Sequence, residues 1–268
     1  MELEIIDAHL HFVKDAYFDT IARAAKHENS AEHLEKVYKE LGIVRGIVMG
    51  NVTLSLERHN YPKFLNYCIG LDMGVFQDWV KHLSLIEEHL KRRECVGIKL
   101  YPGYLPFYVY DDSLSPIYRL AEKYNKPVAV HTGLTAMSNA LLKYAHPLTL
   151  DEAAAKFPAV NFVMCHLGEP WFCDAVSVLE KNPNVFADLS GILEGKLPNV
   201  AEFLNKKKFF VEQLKGRLEY LDDYEKLMFG TDWPLANLSD YIEFTKAIIP
   251  QSEWKKVFHD NAEKIYNL

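Results

Sequence analysis

A chain of 268 residues, 49% hydrophobic and 13% aromatic, can bury a large core as one big α/β domain or two ordinary ones. Its formal charge of −7 provides no global basic field for a phosphate backbone, so no nucleic-acid partner is expected. No run of about 18 apolar residues is present to span a membrane. The chain also begins directly on an acidic-apolar strand without a basic leader, so a cytoplasmic protein with no membrane partner is expected. The four cysteines, at 68, 95, 165 and 173, form no C-x-x-C pair and read as reduced thiols.

In chain order, short β-branched and apolar runs predict eight strands, at 3–9, 44–49, 65–71, 96–101, 127–131, 160–166, 185–189 and 227–231. Helical patterns follow them at 31–41, 77–91, 115–124, 148–157, 171–181, 200–220, 238–248 and 251–266. Repeated strand-then-helix order implies a parallel sheet. Several strands, such as Pro127 to Val130, are apolar throughout, as strands covered on both faces are. Stop signals such as Leu41-Gly42, Phe157-Pro158 and Asn182-Pro183-Asn184 precede strands. Eight such units in roughly 250 residues is the size of a (β/α)8 TIM barrel, read as a single domain over 1–268. Lys206-Lys207-Lys208 reads as a solvated helical face.

Five predicted strands end in residue types that ligate metals. His9 and His11 end the first, Lys99 the fourth, His131 the fifth, His166 the sixth and Asp232 the eighth. In a barrel these ends converge on one rim, where the βα loops build the functional site. Strand periodicity points His9 and His11 one way and Ala8 and Leu10 the other. It also turns Cys165 away from His166 and under a helix. Imidazole and carboxylate hold zinc and similar divalent ions, so the set reads as a metal site. Tyr101, in phase with Lys99, and Trp233, beside Asp232, are candidate substrate contacts. Arg58, in the loop after the second strand, is a candidate anchor for an anionic group. The remaining histidines end no apolar strand and read as structural, although His59 and His146 fall in loops after strands.

The strings Asp7-Ala8-His9-Leu10-His11, Gly97-Ile98-Lys99-Leu100-Tyr101-Pro102, His131-Thr132-Gly133, Cys165-His166-Leu167-Gly168 and Phe229-Gly230-Thr231-Asp232-Trp233-Pro234 resemble the amidohydrolase superfamily. More narrowly, with the string from Asn184 to Gly191 and the closing Asp260-Asn261-Ala262-Glu263, the chain is similar to the amidohydrolase-related branch. That branch contains metal-dependent hydrolases and the aminocarboxymuconate-semialdehyde and aromatic-acid decarboxylases. The resemblance implies that His9, His11, His131 and Asp232 bind one divalent metal, zinc first and manganese as the alternative. It implies that His166 orients or deprotonates the bound water, or ligates a second ion, and that Asp232 serves as general base. A metal with an open coordination position lowers the pKa of bound water to about 7. Lys99 resembles the lysine that dihydroorotases carboxylate. Two ions bridged by a carbamylated Lys99 are therefore the alternative to one.

The leading expectation is metal-dependent hydrolysis of a small molecule: an amide, lactone, ester or C–C bond. The alternative is non-oxidative decarboxylation of an aromatic or unsaturated acid on the same site. The connection from Phe12 to Gly42 is compact, whereas the decarboxylases with these motifs carry larger insertions there, which favours hydrolysis. A binding protein with a silent metal site is the non-enzymatic reading. A homo-oligomer is left open.

Overall fold

The eight strands form in the predicted order, and each is short. They are β1 (Ile5–Leu10), β2 (Ile43–Met49), β3 (Leu65–Leu71), β4 (Cys95–Leu100), β5 (Val128–Val130), β6 (Phe162–Met164), β7 (Val185–Asp188) and β8 (Leu227–Met228). The computed structural model describes residues 3–71 and 79–268, so positions 77 and 78, the start of the helix expected over 77–91, lie outside the described residues. Every neighbouring pair is parallel and the strand order is sequential. The barrel closes where the chain beyond β8 returns to β1: Ala8 N donates to Phe229 O (2.9 Å), and Leu10 bridges to Trp233.

The helices among the described residues are α1 (Ala16–Ala24), α2 (Ala31–Leu41), α3 (Leu83–Lys91), α4 (Ser115–Tyr124), α5 (Thr149–Lys156), α6 (Phe172–Lys181), α7 (Val200–Lys206), α8 (Lys208–Leu221), α9 (Leu238–Ile248) and α10 (Asn261–Tyr266). Helix α1 was not in the sequence pattern. It is nucleated by Asp15, whose carboxylate accepts from Phe18 N at 2.8 Å as an N-cap. Helix α2 is capped in the same way by Ser30 and stops at Gly42. That glycine sits at φ 73°, where a side chain is disfavoured. The stretch expected as one helix over 200–220 breaks at Lys207, whose φ and ψ of −102° and 23° leave the helical region.

Two packed layers follow. The outer one joins helix faces to one side of the strands, for example Leu34 and Tyr38 of α2 with Ile5 and Leu10 of β1. The inner one fills the barrel lumen with Ile6, Ile47, Cys68, Ala129, Val163 and Met228. Ile265 and Tyr266 of α10 join this inner layer, so the last helix plugs the barrel. Burying these faces is the main driving force for closure. No helix among the described residues is long and apolar enough to cross a membrane.

Candidate metal centre

Simple alternation fails where it matters most. Ile6 and Ala8 face the lumen, and Asp7 faces outward to Tyr38 of α2, so strict period two would send His9 outward as well. A bulge prevents this: Asp7 pairs with Gly46 and Leu10 with Val48, three residues of β1 against two of β2. The extra residue leaves Leu10 in the outer layer and turns both His9 and His11 to the rim. The expectation that Ala8 faces away from the site is thus corrected, while the shared facing of the two histidines stands. His131, His166 and Asp232 lie just past the ends of β5, β6 and β8. Asp232 adopts φ 58° and is pinned to β1, its N–H donating to His9 O at 2.8 Å. Thr231, turned the other way as expected, donates from N and Oγ1 to the buried Asp7 carboxylate (2.9 and 2.6 Å).

Proton positions around His9 and His11 follow from their partners. His11 Nδ1 faces the Met49 carbonyl oxygen at 3.2 Å, a pure acceptor, so Nδ1 carries the hydrogen. His9 Nδ1 donates to Asp188 Oδ2 at 2.9 Å, both groups completely buried. Both Nε2 atoms are therefore lone-pair donors. They point at the same carboxylate oxygen: Asp232 Oδ1 lies 3.4 Å from His9 Nε2 and 3.3 Å from His11 Nε2. Burial lowers the pKa of His9 to about 4 and of His11 to about 3, with the nearby charge of Lys99 adding to the effect. With Asp232 ionised, three lone-pair-bearing atoms thus face one another with no proton to share. His9 Nε2, His131 Nε2 and Asp232 Oδ1 are buried without a hydrogen-bond partner. A cation answers His9 Nε2, His11 Nε2 and Asp232 Oδ1 at once. Ligands at 2.0–2.1 Å in a tetrahedron stand about 3.3–3.4 Å apart, so the observed spacing fits a zinc-like ion.

A second cluster of donor atoms joins His9 to His166 and Asp188. Asp188 was not given a role from the sequence, although it ends an apolar strand as the other site residues do. Burial raises its pKa, but coupling to His9, with help from His166 and Ser190, outweighs burial and holds the carboxyl well below the usual range. It is a fixed anion that orients a ligand histidine, an arrangement common behind metal sites. The His166 ring lies 4.7 Å from that of His9 and 5.1 Å from that of His131. It rests on Gly191, at φ 70°, where a Cβ would stand 2.5 Å from His166 Nδ1. His131 is outside both tight clusters and joins the rim through His166 and the Tyr104 ring at 4.8 Å. Asp232 is the reverse of Asp188. Burial pushes its pKa up to about 7 against the opposing charge of Lys99, and Asp188, Asp7 and Glu194 add to the rise.

Other expected positions divide. Lys99 is inside the barrel, 1% exposed, and its Nζ donates to Cys165 Sγ at 2.8 Å. Cys165 therefore faces the lumen, not a helix. The strand ends at Met164, and His166 and Leu167 take positive φ, which removes the alternation that the expectation relied on. Tyr101 is beneath the rim, with its hydroxyl donating to Met49 O and Gly50 O (3.2 and 2.7 Å). Trp233 does not offer a substrate-facing surface. It is fully buried and stacks on Phe12 at 6.0 Å because the segment after β8 pairs with β1 and folds its indole into the outer layer. Arg58 is exposed and is not brought to the rim. Leu56 O and Asn60 Oδ1, on either side of it, accept from Arg92, which precedes β4 at the opposite end of the barrel. His59 packs against Tyr67 and His89 in the outer layer, and His146 lies beside Trp171 and Asp174. Phe18 of α1, which the sequence pattern did not single out, lies 5.7 Å from the His11 ring.

Known proteins share this arrangement of elements. Protein fluG of Emericella nidulans is 37% identical over 68 residues, which covers 25% of this chain and 8% of that protein. The chain thus matches only a small part of fluG. The crystal structure of a probable 2-pyrone-4,6-dicarboxylic acid hydrolase from Acinetobacter baumannii superposes with a TM-score of 0.66 at 17% identity, covering 99% of this chain and 100% of that one. A dihydroxybenzoic acid decarboxylase from Polaromonas sp. JS666, with bound manganese and an inhibitor, gives a TM-score of 0.68 at 14% identity over 100% and 98%. At these identities the structures speak for the fold. The profile described as Amidohydrolase matches residues 6–268, and with it the chain belongs to the amidohydrolase family, whose hydrolase and decarboxylase members are metal-dependent.

Proposed function

We propose that the protein is a metal-dependent hydrolase of a small molecule, acting on an amide, lactone, ester or C–C bond. The observation that carries this reading is the convergence of the lone-pair-bearing His9 Nε2 and His11 Nε2 on Asp232 Oδ1 at 3.3–3.4 Å. These atoms, with His131 Nε2, would hold one divalent ion, zinc before manganese given nitrogen-rich donors at tetrahedral spacing. Bound there, the ion supplies Lewis acidity, polarising a carbonyl and lowering the pKa of water it coordinates. Asp232 accepts the proton of the attacking water on its carboxylate and hands it to the leaving group. His166 supports the water through Nε2, the ring nitrogen that Ser190 leaves free.

Hydrolysis is preferred over decarboxylation on charge. Burial raises the pKa of Glu169 and of Asp232, and the charge of Glu194 adds a smaller share to each, so Glu194 lies near both. A substrate carboxylate meets repulsion from these groups and would depend on the bound ion for its charge compensation. Lys99, whose charge is felt at His9, His11 and Asp232, gives a hydrogen bond to Cys165. The decarboxylase reading is kept for one observation, the full-length likeness to a manganese-bound decarboxylase. The test is to load the protein with zinc and, separately, manganese, then assay esters, lactones and amides beside aromatic acids. Hydrolysis of a neutral probe supports the proposal; carbon dioxide release from an aromatic acid, with no hydrolysis, reverses it. Elemental analysis reading one ion per chain with Lys99 at unmodified mass fits the mononuclear site. Two ions and a mass increase on Lys99 replace it with the carbamate-bridged pair.

A further inference from the structure

Ser190 admits one assignment of protons, and that assignment reaches His166. Asp188 Oδ1 accepts from His166 N (3.0 Å) and Ser190 N (3.2 Å), while Ser190 Oγ lies 2.5 Å from the same oxygen. Two oxygens that close need a proton between them. Since Oδ1 already receives two N–H groups, it is the acceptor, and the serine hydroxyl donates to it. Ser190 Oγ then presents only lone pairs to His166 Nδ1, 2.9 Å away. Nδ1 must carry the hydrogen, and Nε2 of His166 is left as the acceptor.

We infer that Asp188 and Ser190 are one positioning unit that sets the tautomer of two histidines: His9 by direct contact and His166 through the serine hydroxyl. Both Asp188 and Ser190 are fully buried, so water does not compete for these bonds. Gly191 completes the unit. Its lack of a side chain lets the His166 ring approach close enough for the serine to reach Nδ1. The consequence is that His166 meets the attacking water with Nε2 already a hydrogen-bond acceptor, without first exchanging tautomers. This role for His166 rests on the metal-site reading above, whereas the tautomer itself does not.

The experiment records imidazole nitrogen resonances of the full, zinc-loaded protein labelled with nitrogen-15 histidine, alongside the zinc dissociation constant. The wild-type protein shows His166 protonated on Nδ1 alone. Ser190→Ala shows a substantial Nε2–H population on His166, leaves His9 unchanged and keeps zinc affinity within about threefold, because the direct His9–Asp188 bond is intact. Ser190→Thr, which keeps a hydroxyl, restores the wild-type pattern. A wild-type His166 protonated on Nε2 overturns the inference, as does a Ser190→Ala protein with an unaltered His166. Failure of the wild-type chain to bind zinc at all overturns instead the metal-site reading.

Discussion

The ends of β7 and β8 each place an aspartate beside His9, Asp188 fully buried and Asp232 mostly so, and the two carboxylates behave in opposite ways. Asp188 collects four donors: His9 Nδ1, His166 N, Ser190 N and Ser190 Oγ. Its charge is answered by the fold, and its pKa lies well below the ordinary carboxylate range. Asp232 faces two imidazole lone pairs with an unpartnered oxygen, and its pKa rises to about 7. Desolvation pushes both upward, so it does not decide. The difference is that one carboxylate was given its protons by the chain and the other was left to receive a cation or a proton from outside. The first is scaffold, and the second is where chemistry can happen.

The largest effect that this contrast predicts comes from Asp232 itself. Asp232→Ala should reduce turnover by roughly 10³-fold, since it removes a ligand and the general base together. Turnover within tenfold of wild type, with metal confirmed in the variant, would assign the base elsewhere. Asp188→Asn should be gentler, weakening zinc binding by about 10- to 100-fold by loosening His9. An unchanged zinc dissociation constant would reduce Asp188 to a packing residue.

Acid should separate the two ends further. Protonated Asp232 does not ligate metal, so zinc affinity should be constant above pH 7 and weaken roughly tenfold per unit below it, one proton being displaced. His9 and His11 take protons only near pH 4 and 3, so they add to the slope only at the acid end. Asp232→Asn should abolish the slope between pH 7 and 5 in the same titration. A flat wild-type profile across that range removes Asp232 from the ligand set.

Smaller effects concern the support. Gly191→Ala forces a Cβ against His166 at a positive φ and should cost about 1–3 kcal/mol in denaturant unfolding. Arg58→Ala should change stability by less than about 0.5 kcal/mol and leave the KM of any substrate unaltered, because the residue is exposed away from the rim.

Much of this was legible in the chain because local patterns carry it. Alternating apolar strands and helical stretches specify a parallel barrel, and the rim is where the ends of such strands meet, so His9, His11, His131, His166 and Asp232 could be placed together. Helix α1 could have been found from Asp15, a capping residue ahead of an amphipathic turn. Asp188 could have been found by extending the strand-end rule to β7. The bulge that turns His9 inward could not, because it is a mismatch between β1 and β2 and exists only once they pair. Likewise, Cys165 faces the lumen in phase with Val163 and His166 reaches the rim after it because the chain bends there, and Trp233 sank into the outer layer because its segment closes the barrel on β1. The sequence by itself determined which residues can ligate, and roughly where, because residue type and period are local. Only the tertiary structure decided which carboxylate receives donors and which is left open, because hydrogen-bond partners come from segments as far apart as Asp7 and Thr231.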